Sequence, residues 1–575
     1  MNYSLFLTKI KKDHYTENQK LFLGNWCIAD EINLKNLGNY QVLNYHWNDI
    51  KKLNKDYDYL YSLYYKIIKK LANDLNKHHN IDYPERYWHV IIGSWVYKFI
   101  VNTFEKWESV RLATSNFQIS KTFHYECPEN YLIPSDYSEF NRLANTELWN
   151  NYLSFKIIQY FKSKINFEKI NSDYTINKTF YTNKFEEKQN KLVLLTDKLL
   201  SLIQSKPKIL LYKTYFGKIN NFKLFYKFNS IPRTYNEFEK KIILDKPKNR
   251  KNNILKIDIK NNFEIFIKEN IYKFMPISYL EGFKKIKEYT DSIKTKPDLI
   301  ISAMGERNDI FSIWAAKAIQ NNIKYFHTEH GAYTEDVQKF DSCISKYDYF
   351  LSWNQSKKKN VHQISPHFYV NKKNIKDGNY LYIILSSPNL YTTFISSEVK
   401  SGQYLESYEN LKALKNLSTH IRDKLKFRMH TYSKLWKMRE RVEKDFGVHA
   451  ICKYKKLIDC FSNSKIILEE DIQTSFYESM NLNKPTIVFM NRGLSSNINE
   501  PIKNLFEDLI NENLIFKDKI KLVAHIENIW SDPHKWWNSK NIHNLREKFK
   551  YLCSKKNKNF AENILTINHL YEKTS

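Results

Sequence analysis

From Pro207 onward, short apolar runs alternate with amphipathic stretches, and this alternation restricts the chain more than any other feature. "PKILLYKTYF", "LFYKFN", "KPDLIISAMG", "NIKYFHTEHG" and "YDYFLSW" each have the length and composition of a buried strand. Helical patterns over Tyr279–Lys294 and Ile310–Asn321 lie among them. A second series starts near Asn379, with strands at "NYLYIILSSP", "KLKFRMH", "SKIILEE" and "KPTIVFM". Its helices fall at Ser401–Asn416, Tyr432–Phe446 and Ser475–Leu482, and the tail from Pro501 is helical. Strands apolar on both faces and joined by helices form covered parallel sheets. The expected fold class is therefore α/β, with two Rossmann-like domains facing a cleft, at 205–375 and 376–575. Residues 1–200 read as one strand-like piece, Lys20–Cys27, followed by a mainly helical extension packed on the first domain. Its helices cover Tyr57–Leu75 and Tyr83–Leu112, the second with Pro84 as a first-turn proline behind Asp82. The Lys- and Asn-rich segment Asn171–Gln189 reads as a linker.

In open α/β sheets, ligands bind beyond the carboxyl ends of the strands. Five such ends deliver polar residues: Glu306; Glu329, His330, Gly331 and Tyr333; Ser387; Arg428 and His430; and Thr474, Ser475 and Glu478. Ser475 and Glu478 stand at capping-box spacing. The same geometry offers an anion site, because a helix start carries free N–H groups beside the hydroxyls. His330 titrates near neutrality, and Gly331 lets a ligand approach the backbone. With Glu306 on the neighbouring loop, an acid/base pair becomes available; a solvated turn is the plainer alternative. Arg428 and His430 suit a leaving phosphate, or else are ordinary surface charges. Trp536-Trp537 and the Trp88, Trp95, Trp107 series read as core.

A net charge of +29 suits a phosphate-bearing partner, but the lysines are scattered along the chain, which argues against a nucleic-acid-binding protein. The six cysteines form no C-x-x-C pair, consistent with a reducing cytoplasm. "YWHVIIGSWVYKFIV", Tyr87–Val101, is the best membrane candidate. His89 and Lys98 interrupt it, and it falls short of the roughly 20 apolar residues a span requires. The dinucleotide fingerprint, P-loop and H-E-x-x-H motif are absent.

Several stretches together resemble a family of transferases from bacterial surface-carbohydrate (O-antigen-type) biosynthesis loci. They are Phe22-Leu-Gly-Asn-Trp-Cys27, Arg86-Tyr-Trp-His-Val-Ile-Ile-Gly-Ser-Trp95, Pro276-Ile-Ser-Tyr-Leu-Glu281, His330-Gly331, Phe350-Leu-Ser-Trp353, Thr474-Ser-Phe-Tyr-Glu478 with Asn483-Lys-Pro-Thr486, and Trp536-Trp537. The resemblance implies a GT-B-like glycosyltransferase moving a sugar from a nucleotide-activated donor to a surface-polysaccharide or lipid-linked glycan acceptor. His330, Gly331, Tyr333, Arg428, Thr474 and Glu478 match the family pattern. Glu329 stands where glutamine is expected, Ala332 where glycine is, and Pro388-Asn-Leu-Tyr391 lacks an expected arginine. A looser similarity to CMP-sugar transferases favours a CMP-sugar and assigns His430, Thr474 and Ser475 to the donor phosphate. It leaves Glu306, Glu329 and His330 as candidates for the acceptor-side base. No cofactor or metal is expected, since no D-x-D-like motif ends a strand. The expected location is cytoplasmic, with room for peripheral contact at the inner membrane. A glycerophosphate or other phosphoryl-group transferase on the same frame is the alternative.

Overall fold

The computed structural model describes residues 2–11, 19–161, 164–171, 195–197, 199–200, 203–204, 206–247, 250, 254–332, 346–366, 378–396, 398–494, 498, 501–556 and 559–574. The expected linker at 171–189 and the cleft-loop residue Tyr333 fall almost wholly outside them; only Asn171 is described.

The two expected α/β units are present. The first is a five-stranded sheet of β6 (Ile209–Tyr212), β7 (Leu299–Ser302), β8 (Lys324–Thr328), β9 (Tyr349–Ser352) and β10 (Val361–Gln363), ordered β10-β9-β8-β7-β6. The second contains β11 (Tyr380–Ile384), β12 (Leu425–Arg428), β13 (Ser464–Glu469), β14 (Thr486–Phe489) and β15 (Ile515–Phe516), ordered β12-β11-β13-β14-β15. Every pairing in both is parallel. Every residue of β6, β7 and β14 is buried, as sheets covered on both faces demand.

"LFYKFN" is not a strand. It lies largely in the helix Lys218–Lys227, which buries Asn220, Leu224 and Phe225. The physical reason is connectivity: parallel β6 and β7 need a crossover, and a helix supplies it. The aromatic run imitates a strand because the outer face of this helix is apolar as well.

The N-terminal region holds more than helices. It also forms a third parallel five-stranded sheet from β1 (Tyr3–Phe6), β2 (Lys20–Phe22), β3 (Tyr40–Val42), β4 (Ile119–Glu126) and β5 (Asn166–Asn171), ordered β3-β2-β1-β4-β5. Three of these strands are only three or four residues long, too short for a periodic signal. The expected helices are α1 (Ile50–His79) and α2 (Glu85–Asn116), with Pro84 as the N-cap of α2 and not its first residue. Every residue of α2 from Tyr87 to Val96 is buried. This explains its membrane-like composition: it is a core helix, and among the described residues no helix is long and apolar enough to cross a membrane. Trp88, Trp95, Trp107 and Trp537 are core residues.

The N-terminal unit packs on both other units, not only on the first. Arg86 pairs with Asp348 at 2.8 Å, tying α2 to the first unit. Asn102 Nδ2 donates to Thr392 O at 3.0 Å and Asn25 Nδ2 to Gly402 O at 2.6 Å, tying it to the second. A Cβ on Gly402 would lie 2.1 Å from the Tyr45 ring, so this approach requires glycine.

Candidate functional site

The second sheet turns back on itself: β12 lies on one side of β11 and β13 on the other. Such a reversal leaves a crevice beyond the carboxyl ends of the two central strands. A pocket of about 450 Å³ lies there, lined by Ser386–Asn389 after β11, Arg428–His430 from the end of β12 onward, and Glu469, Asp471 and Gln473–Ser475 from the end of β13 onward. Ser387, Arg428, His430, Thr474, Ser475 and Glu478, all expected on the donor side, are thus brought together.

The helix Thr474–Asn481 opens on this pocket. Its N-cap is Gln473, which makes no side-chain cap bond, so Ser475 and Glu478 do not form the capping box their spacing allowed. Instead, Ser475 Oγ donates to Glu469 Oε2 at 2.7 Å. Glu469 Oε1 is buried without a hydrogen-bond partner among the described residues. Burial pushes the Glu469 carboxyl up to about 8; the Ser475 hydrogen bond opposes the shift, and the charges of Glu478 and Asp471 reinforce it. Burial also raises Glu478 to about 7. Near neutrality, the pocket floor therefore presents a protonated carboxyl able to donate to an anionic ligand.

A raised carboxyl stabilises the fold fully below its unfolded value of 4.5 and loses that contribution as pH climbs to about 8. Glu469→Gln, which stays neutral, should therefore gain stability relative to wild type across this interval, by about 4 kcal/mol at its upper end. Thermal melts of both proteins from pH 4.5 to 8 check this; parallel curves would refute the protonated-carboxyl assignment.

Other parts of the donor side are already engaged. Arg428 donates to Tyr454 O at 2.5 Å and Lys455 O at 2.8 Å, so its guanidinium braces a neighbouring loop. His430 stands at the rim, its imidazole lowered by partial desolvation and by Arg428. Asp471 accepts from Ser386 Oγ and Val399 N, both at 3.0 Å, and pairs with Arg492.

The first sheet faces this pocket through the loop after β8. Ala332 N donates to Thr474 Oγ1 at 3.1 Å, and a Cβ on Gly331 would stand 2.9 Å from that oxygen. The loop and the helix start thus meet across the two units, and glycine permits the approach. His330 is half-buried beside the Tyr215 ring at 5.8 Å. Its imidazole is driven down to about 4, by burial first and then by Arg307, His327 and Lys98, with Glu306 opposing. Glu306 sits at the carboxyl end of β7 with Oε2 buried and unbonded among the described residues.

Glu329 is not a cleft residue. It is 2% exposed and accepts from Ser352 Oγ at 2.7 Å and Trp353 N at 2.8 Å. Both residues lie just past β8: Glu329 turns inward to brace β9, while His330 is half-buried beside Tyr215. Sequence reasoning missed Glu469, whose signal was the Glu469-Glu470-Asp471 run directly at a strand end. It also missed Lys98, an odd lysine inside an apolar helix. Lys98 Nζ donates to Asn141 Oδ1 at 2.6 Å, and burial first, then Arg307, lowers its ammonium to about 7.

Residues 3–567 match the model of a family described as LIC12162 family transferase. No curated protein matches the sequence. Among solved structures, TarM is similar at 12% identity and a TM-score of 0.31, over 49% of this chain and 56% of TarM. The likeness therefore spans little more than half of that protein. A protein described as a UDP-N-acetylglucosamine 2-epimerase from Listeria monocytogenes is similar at 13% identity and a TM-score of 0.33, over 53% of this chain and 86% of that one. The spinosyn rhamnosyltransferase SpnG, complexed with spinosyn aglycone, is similar at 7% identity and 0.27, over 50% and 80%. At these TM-scores the likenesses carry no argument.

Proposed function

The chain belongs to the LIC12162 family of transferases, and from that membership we propose that it is a GT-B-like glycosyltransferase acting on a nucleotide-activated sugar. The observation that carries the reading is the contact of the His330–Ala332 loop with Thr474, which sets an acid/base candidate of one unit against an uncapped helix start of the other. A donor phosphate at that start meets backbone N–H groups, the Thr474 and Ser475 hydroxyls and the protonated Glu469 carboxyl, with His430 at the rim. These groups stabilise the charge that builds on the leaving phosphate. On the opposite side His330 is neutral at physiological pH and takes the proton of an acceptor hydroxyl, and Glu306 favours the imidazolium that forms.

A CMP-sugar is the preferred donor and a surface glycan the preferred acceptor, in a metal-independent, cytoplasmic reaction. The test is a panel of CMP-, UDP-, GDP- and dTDP-sugars scored by thermal shift and donor hydrolysis, with and without a chelator. One nucleotide should stabilise the protein, and Thr474→Val should weaken its binding about tenfold, the value of one lost hydrogen bond to a charged group. If no nucleotide sugar binds, the reading fails; transfer of a phosphoryl or glycerophosphate group instead would move the protein to that class.

A further inference from the structure

The outer face of the helix Lys218–Lys227 is uncovered and apolar. Ile219, Phe222 and Tyr226 are 54%, 64% and 78% exposed, and Tyr215, just before the helix, is 49% exposed. Their spacing places them along one helix stripe, while Leu224 and Phe225 seal the opposite face against the protein. Lysines flank the stripe: Lys218, Lys223 and Lys227 are all exposed, with Lys227 paired to Glu562 at 2.6 Å. Nearby cations are answered by acids: Lys208 pairs with Asp298 and Lys213 with Glu239, both at 2.9 Å, and Arg233 is buried against Glu237. Lys218 and Lys223 remain as exposed cations beside the stripe.

We infer that this helix docks the protein on an anionic membrane surface, with Ile219, Phe222 and Tyr226 entering the headgroup boundary and the lysines meeting lipid phosphates. An amphipathic helix with an aromatic and aliphatic face edged by cations suits that boundary. Aliphatic Ile219 and an apolar stripe exposed along the helix favour a bilayer. A single-stranded nucleic acid would need aromatic platforms in a basic groove. Placement agrees: the loop leading into the helix carries Tyr215 against His330, so the docking face begins at the cleft rim. Membrane docking there would present a lipid-linked acceptor to His330. The docking itself stands apart from the glycosyl-transfer reading; only the acceptor identity rests on it.

The full chain is tested by co-sedimentation with phosphatidylglycerol-rich and with phosphatidylcholine vesicles. Wild type should bind the anionic vesicles, and more weakly as salt rises. The double change Phe222→Ser with Tyr226→Ser should lower partitioning about tenfold or more. Lys218→Gln with Lys223→Gln should remove the preference for anionic lipid. Hydrolysis of soluble donor should be unchanged in both variants. Failure of wild type to bind, or binding that neither variant weakens, overturns the inference. So does a dimer dissolved by the Phe222/Tyr226 change, or displacement from vesicles by a single-stranded oligonucleotide. Vesicle binding lost with nucleotide binding intact would sink the docking alone, and the reverse would sink the donor reading alone.

Discussion

His330→Ala is expected to lower kcat by roughly one hundred- to ten thousand-fold, the range supplied by a positioned general base, with little change in KM for the donor. The residue makes this contribution only when neutral. Burial, Arg307, His327 and Lys98 hold it down to about 4, so the rate should persist well below the ordinary imidazole range before protonation removes it. The sign of one neighbour's effect is separable. Arg307→Gln deletes a cation that disfavours the imidazolium, and the acid limb of the kcat/KM profile should move to higher pH. Full activity in His330→Ala together with an inactive Glu306→Gln would transfer the role to Glu306, whose Oε2 stands unbonded among the described residues at the neighbouring strand end.

The sequence made parts of this site legible because strand ends can be read without knowing strand order. The apolar runs before them bring Thr474, Ser475 and Glu478, and likewise Ser387 and His430, to one crevice. Local reasoning could not see which way each side chain leaves its strand. Glu329 and His330 are neighbours, yet one braces Trp353 N and the other lies beside the Tyr215 ring. That distinction depends on β8 register and on the partner strand β9, a nonlocal pairing. The same limit hid the N-terminal sheet. β1, β2 and β3 are held by pairing over long sequence separations, so their own residues carry almost no period. The capping box failed for a related reason: the helix starts one residue before Ser475, with Gln473 as N-cap, and the Ser475 hydroxyl donates to Glu469 at the strand end instead of accepting from a helix N–H.

Arg441→Met should destabilise the protein by about 3–5 kcal/mol, among the largest single losses away from the cleft. The Arg441 side chain is buried between the second unit and the N-terminal unit. Its Nε donates to Trp436 O at 3.0 Å, and its Nη2 to Ala29 O at 3.1 Å and Glu31 O at 2.7 Å. Methionine fills similar volume but leaves these carbonyls without that donor, at about 1–3 kcal/mol for each one kept from water. Lys444 reaches the neighbouring Ile32 O at 3.2 Å from the surface, so Lys444→Met should change stability by less than about 0.5 kcal/mol. Denaturant unfolding of the two variants supplies the comparison, and equal losses would show that burial of the arginine is not the cause. Activity should fall with the Arg441 variant at temperatures below its melting point. Arg441 seats the N-terminal unit on the second, and that unit's α2 carries Lys98 to the His330 side. Loosening one contact should disturb the charge balance at the other.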